Sequence, residues 1–253
     1  MSSVPDPMLS HARRDSLVLL LAWAAGSVDA IGFFGLNHVF TANMTGNTVL
    51  LGLSLGQGHG LAALSNIVAL VGFAAGVALG ALVVNKGGQP GTWDRHVTAA
   101  LFLETVMLAA FTVIWHIAPQ GRQVGSAALY FLIALSALAM GIQSAAVRYL
   151  NLPGVATTYV TGTITSLFSG LAGFFRLPRP KSERDHASVQ SGAWNPSARL
   201  QASVVITYGL SALSSAFFQG RIPGLVAVTP LLSIALVLLL VTLSHRKHES
   251  LLP

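Results

Sequence analysis

Two carboxylates stand where a carboxylate is costly. Asp29 lies in GSVDAIGFFG and Glu104 in ALFLETVML, each inside an apolar run of membrane-spanning length. An Asp at the centre of a membrane helix costs at least about 2.5 kcal/mol on insertion scales, and such residues line cavities or pair with polar partners. A carboxyl there can carry a proton, bind a cation, or accept hydrogen bonds from Thr, Asn or Gln of a neighbouring helix. Asp29 and Glu104 are therefore the candidates for proton or ion coupling. Glu104 is nearer the start of its span, where it can also serve as a polar anchor.

A second set of groups surrounds two Thr- and Gly-rich stretches, VFTANMTGNTVLLGLSLG (39–56) and VATTYVTGTITSLFSGLAGFF (155–175). Both open with polar residues and continue as apolar runs. Such a stretch reads as a broken or re-entrant segment whose half-helix begins inside the membrane. Thr45 or Asn47 can cap the first half-helix. Uncapped N–H groups and the positive end of the dipole would then face a bound solute. The candidate substrate-binding residues are Asp29, Asn43, Thr45, Gly46, Asn47, Gln143, Thr158, Thr161 and Gly162, with Arg148 close behind Gln143. The bland alternative is that these groups satisfy one another and the loosened backbone.

Other motifs carry less. Gly72, Gly76 and Gly80 form a small-residue stripe that reads as helix packing, within the monomer or across a homodimer. Gly52-Leu53-Ser54-Leu55-Gly56 fits the nucleophile-elbow pattern, with His59 nearby, but lies in an apolar segment with no strand before it. No histidine spacing matches a metal site. No catalytic residue, metal ligand or cofactor is assigned.

The elements that must position these residues follow from composition. Charged residues make up 9% of 253 and hydrophobic residues 53%, far from the balance that covers a water-exposed surface. The chain reads as all-α, a polytopic membrane helix bundle. Six uncleaved spans are expected, at 16–34, 61–84, 97–118, 124–147, 200–220 and 222–243, with a kink at Pro230. Six crossings place twelve Lys and Arg on one side and two on the other, which orients both termini to the cytoplasm; eight crossings give ten against four. The basic character (pI about 10.3) then reflects cytoplasmic flanks and not nucleic-acid binding.

The two Thr–Gly stretches also align with each other at an offset of 116 residues, with seven identities over 21 positions. Each follows a similar helix end (Gly26 to Asn37, Gly141 to Asn151) and precedes two spans. The chain thus divides into a tail at 1–15, a three-span half at 16–118, a second at 124–244 holding a basic cytoplasmic linker at 176–199, and a tail at 245–253. Three crossings per half make the second half inverted, an inverted 3+3 repeat with interrupted segments in matching places. That pattern points to a transporter with its site near the midplane.

The blocks GSVDAIGFFGLNHVFTANMTGNTVLLG and GIQSAAVRYLNLPGVATTYVTGTITSL resemble those of the YoaK family of bacterial membrane proteins, over about 16 to 244. The resemblance implies a six-helix inner-membrane protein and implies no substrate, catalytic residue or cofactor. The combined expectation is a multi-pass transporter or permease for a small molecule or ion. The alternatives are a membrane-embedded enzyme acting on a lipid-like substrate, and a non-transporting scaffold or sensor.

Overall fold

The computed structural model describes residues 11–87, 90–117, 123, 125–158, 160–174 and 196–249. These residues form helices and no strand: α1 (His11–Gly35), α2 (Met44–Gly56), α3 (Gly60–Val84), α4 (Arg95–Ile117), α5 (Ala127–Tyr149), α6 (Val160–Phe174), α7 (Pro196–Arg221), α8 (Pro223–Val226) and α9 (Val228–Glu249). The expected basic linker falls almost wholly outside the described residues.

Six of these helices are long and apolar enough to cross a membrane. At 1.5 Å per residue, spans of 22 to 26 residues reach about 33–39 Å, more than the ~30 Å hydrocarbon core. α2 has 13 residues and α6 has 15, so each reaches only about 20–23 Å. Each is shorter than that core, and six helices have the length to span it.

Local chemistry sets the ends. Ser126 caps α5 by accepting the Leu129 N–H at 3.2 Å, and Asp94 accepts the N–H groups of His96 (2.9 Å) and Val97 (3.0 Å) at the start of α4. Beyond α1 and α5 the chain turns through Asn37 (φ 61°) and Asn151 (φ 47°), left-handed positions that asparagine tolerates better than most residues.

The buried side chains form two apolar clusters stacked along the bundle. One joins Leu17 and Leu21 of α1, Val97 and Leu101 of α4, Ile142 and Tyr149 of α5, Leu200 of α7 and Val241 of α9. The other joins Ile31 and Leu36 to Phe111, Trp115, Leu129, Leu132 and Val226. The start of α1 therefore lies level with the start of α4 and the ends of α5 and α9. The Arg13 guanidinium donates to Ser244 Oγ at 2.8 Å, and the Gly91 N–H to the Tyr149 carbonyl at 2.9 Å. So α1, α4 and α7 run one way, and α3, α5 and α9 the other. The helix ends that carry Arg13, Arg14, Lys86, Arg95, Arg148 and Arg199 gather at one end of the bundle, while Arg221 stands at the other.

The order long, short, long, long occurs twice, and its packing is exchanged. α1 packs on α7 and α9 of the second run; α5 packs on α3 and α4 of the first. These crossings are close. A Cβ at Gly26 would strike the Tyr208 carbonyl, and one at Gly141 would strike the Phe73 carbonyl. Gly72, Gly76 and Gly80 meet Ala134, Leu138 and Ile142 of α5 in register. The stripe is thus used inside the chain and not across a homodimer. Val71, Leu82, Phe102, Val113, Leu213 and Leu239 point outward, as a lipid-facing surface requires.

Pro230 follows by three residues an interruption in the sixth span, Pro223–Ser244. It sits in the first turn of α9, where its missing N–H is unneeded. The Val226 carbonyl accepts the Thr229 hydroxyl at 2.9 Å instead, and the Ala227 carbonyl accepts Thr112 of α4 at 2.9 Å. The break therefore falls at Ala227, between α8 and α9.

Glycines with and without neighbours should separate cleanly. Gly76→Ala and Gly141→Ala are expected to cost about 2 kcal/mol or more, because backbone and not a movable side chain blocks the added methyl. Gly52→Ala has open space around it and should gain up to about 1 kcal/mol in helix propensity. Thermal unfolding in a non-ionic detergent would read both; a destabilised Gly52→Ala would contradict the packing described.

Candidate functional site

Asp29 lies six residues before the end of α1 and is 3% exposed. After α1 the chain folds back along it. The Val39 carbonyl and the Thr41 methyl lie beside Gly32, where only a residue without Cβ leaves room. This return brings three successive backbone N–H groups to one oxygen. Asp29 Oδ1 accepts from Thr41 (2.8 Å), Ala42 (2.6 Å) and Asn43 (3.3 Å). Oδ2 accepts the phenolic hydroxyl of Tyr208 on α7. The carboxylate thus closes the break before α2 and ties the first run to the second through one side chain. Three N–H donors and a phenol are the partners that let a carboxylate exist in an apolar interior.

The neighbouring amides complete the turn. Asn43 caps α2 by accepting the Gly46 N–H at 3.3 Å. Asn47 accepts the Phe40 N–H at 2.9 Å and donates to the Phe40 carbonyl at 2.5 Å, as a paired strand would. Gly46 lies against the Phe40 ring, where a Cβ would crowd it at 2.8 Å. Thr45 is exposed and takes no part. The N-terminus of α2 is accordingly occupied by the chain itself.

The second break is built on the same plan. Thr163 Oγ1 accepts the Ala156 N–H at 3.1 Å and donates to the Ala156 carbonyl at 3.2 Å. Residues 156 and 163 are 40 and 47 displaced by 116, so a threonine performs the clamp that an asparagine performs in the first run. Thr158 donates to Ser144 Oγ at 3.1 Å, and Gln143 donates to Thr157 Oγ1 at 2.9 Å and to the Leu21 carbonyl at 3.0 Å. Gly26 and Gly141 make matching contacts, which puts Ser144 in the place of Asp29 and Phe73 in the place of Tyr208. The second break therefore lacks the carboxylate and its phenol. Thr161 is exposed and Gly162 half-buried on α6, away from these bonds.

The two breaks do not converge on one pocket. Gln143 meets α1 at Leu21, eight residues from Asp29, which is about 12 Å along the helix. A cavity of about 450 Å³ lies at the second break, lined by Ser144, Val147, Arg148, Asn151, Thr157 and Thr158 among others. Of the expected binding residues, Thr158 and Arg148 line it. Tyr208, Ser144 and Asn151 were not among the expected residues. A lone phenol in the middle of a span is the signal that marks Tyr208.

Glu104 is fully buried on α4, and among the described residues neither carboxyl oxygen has a hydrogen-bond partner. Gly52 to Gly56 lie within the continuous helix α2, which removes the strand–turn–helix that a nucleophile elbow needs. Among the described residues no three His, Asp or Glu side chains gather as a metal site would require.

These two acids should behave oppositely. Asp29→Ala leaves three N–H groups without an acceptor and should cost on the order of 3 kcal/mol, Tyr208→Phe about 1.5–3 kcal/mol, and the double variant less than the sum. Glu104→Leu removes an unpaired polar group and should hold or raise the melting temperature in detergent. A fall of several degrees would mean that Glu104 has a partner.

Residues 17–243 match the family described as "Protein of unknown function (DUF1275)". The chain is 38% identical over 180 residues to the UPF0700 transmembrane protein YoaK of Bacillus subtilis strain 168, covering 70% of this chain and 77% of the relative. No solved structure is similar. With six apolar spans and a match over nearly its whole length, the chain belongs to the DUF1275 family, as a multi-pass membrane protein.

Proposed function

We propose that this protein is a permease for a small molecule or ion in the bacterial inner membrane, with the basic end of the bundle and both termini in the cytoplasm. The carrying observation is that two breaks of one design, in halves that run in opposite directions, are closed differently. One is locked by Asp29 and Tyr208. The other opens into a cavity. On this reading the halves are inverted repeats with re-entrant half-helices, an arrangement that exposes a site alternately to the two sides. The helix ends that carry Arg13, Arg14, Lys86, Arg95, Arg148 and Arg199 at one end of the bundle support the orientation.

The lock supplies the coupling. Tyr208 belongs to the second half and Asp29 to the first, so their bond holds the halves together. A proton arriving at Oδ2 competes with the phenol for the same oxygen, and the loss of charge weakens the three N–H bonds at Oδ1. α1 is then freed to shift against α7. Glu104 is the second candidate for coupling, since a charge on it would stand without a partner. The substrate-binding role passes from the self-bonded first turn, with Asn43, Gly46 and Asn47, to the cavity of the second.

Proteoliposomes loaded with a pH-sensitive dye test this. Succinate, citrate, phosphate, glutamate and lysine are presented one at a time, and at least one should drive a pH change that protein-free vesicles lack. Loss of a bond worth about 1.5–3 kcal/mol should change that rate about tenfold or more in Asp29→Asn and Tyr208→Phe. Ser54→Ala should match the wild type. Wild-type vesicles that behave like empty ones toward every solute would favour the scaffold reading.

A further inference from the structure

The two breaks are closed unequally. In the first half, one carboxylate oxygen gathers the N–H groups of residues 41, 42 and 43, and the other takes a hydroxyl from α7. In the second half, the residues displaced by 116 from Thr41 and Ala42 are Thr157 and Thr158. Among the described residues no acceptor meets their backbone N–H groups. Ser144 stands where Asp29 stands, and its short side chain ends at Thr158. The space a carboxylate fills in one half is open in the other, and the cavity lies there.

We infer that this cavity binds a small organic carboxylate, which takes in the second half the place that the Asp29 carboxylate takes in the first. One carboxylate oxygen accepts from the Thr157–Thr158 turn. The other meets Arg148, one helical turn beyond Ser144 on the same face of α5 and part of the cavity wall. Arg148 thus supplies the donor that Tyr208 supplies to Asp29, with a positive charge added, and its planar guanidinium matches a carboxylate in two-point geometry. Asn151 adds an amide to the wall, and among the described residues no Asp or Glu lines it. About 450 Å³ is within the range of small-molecule sites, roughly 300–1,000 Å³. The cavity is walled by the last turns of α5, at the basic end of the bundle, so an anion from that side is drawn by the surrounding charge. Passage of the bound anion across the membrane rests on the permease reading; its binding does not.

The test uses the full chain in a non-ionic maltoside detergent, with melting followed by tryptophan fluorescence. Succinate is titrated at constant ionic strength against sodium chloride. The wild type should show a saturable rise of about 3 °C or more. Arg148→Gln should lose the rise. Ser144→Asp should melt higher than the wild type without ligand and show no rise, because a tethered carboxylate then fills the site. No rise in the wild type, an equal rise from chloride, or an undiminished rise in Arg148→Gln each overturns the proposal. So does a rise that comes only from phosphatidylglycerol added to the micelles, which would assign the site to a lipid phosphate. A succinate-dependent rise without flux in vesicles removes the permease and leaves the site. Flux without such a rise removes the site and leaves the permease.

Discussion

A backbone that breaks its helix inside lipid has no water to bind, and every freed N–H and C=O must find a partner within the protein. That constraint accounts for the polar residues gathered at the turns of this bundle. The return from α1 to α2 exposes the N–H groups of residues 40 to 43, and Asp29 and Asn47 take them up. The return from α5 to α6 exposes those of 156 to 158, and Thr163 takes up the first. Even the short break at Ala227 is repaired by Thr112 and Thr229 from either side. The polar groups follow the breaks in the helices.

Exchange of partners between the halves gives those breaks their leverage. α1 is surrounded by helices of the second half and α5 by helices of the first, so neither half has a core of its own. Close glycine crossings at Gly26, Gly76 and Gly141 make the contacts backbone on backbone, and such surfaces slide or lock rather than deform. The Asp29–Tyr208 bond lies across this exchange, and on the permease reading it acts on the relation of the two halves as a whole. The second crossing has Phe73 and Ser144 in the corresponding places and carries no such bond. The two breaks share one kind of clamp and differ in the rest of their polar chemistry.

Much of this was legible from residue order alone. Hydropathy is a local property, so the six spans and the two short elements stand close to where apolar runs and Thr–Gly clusters place them. The displacement of 116 was visible in shared Thr, Gly and Leu residues, and the left-handed Asn37 and Asn151 fall at its matching helix ends. The burden of a charged group in lipid marked Asp29 without any knowledge of its neighbours.

What the tertiary structure decided was which way each polar side chain turns and what it meets. Asn47 and Thr163 are different residues, and only their identical clamps on residues 40 and 156 show that they do the same task. Thr45 and Thr161 have the right type for a site but face outward, because helix rotation is set by packing against distant elements. Tyr208 reaches Asp29 across 179 residues of chain, and Gly76 meets Leu138 in a helix that begins 51 residues later. Local sequence sets which segments enter the membrane and where they break, since lipid acts on each residue in turn. Long-range packing sets which break is sealed and which is left open, since that depends on side chains brought together only when the halves interlock.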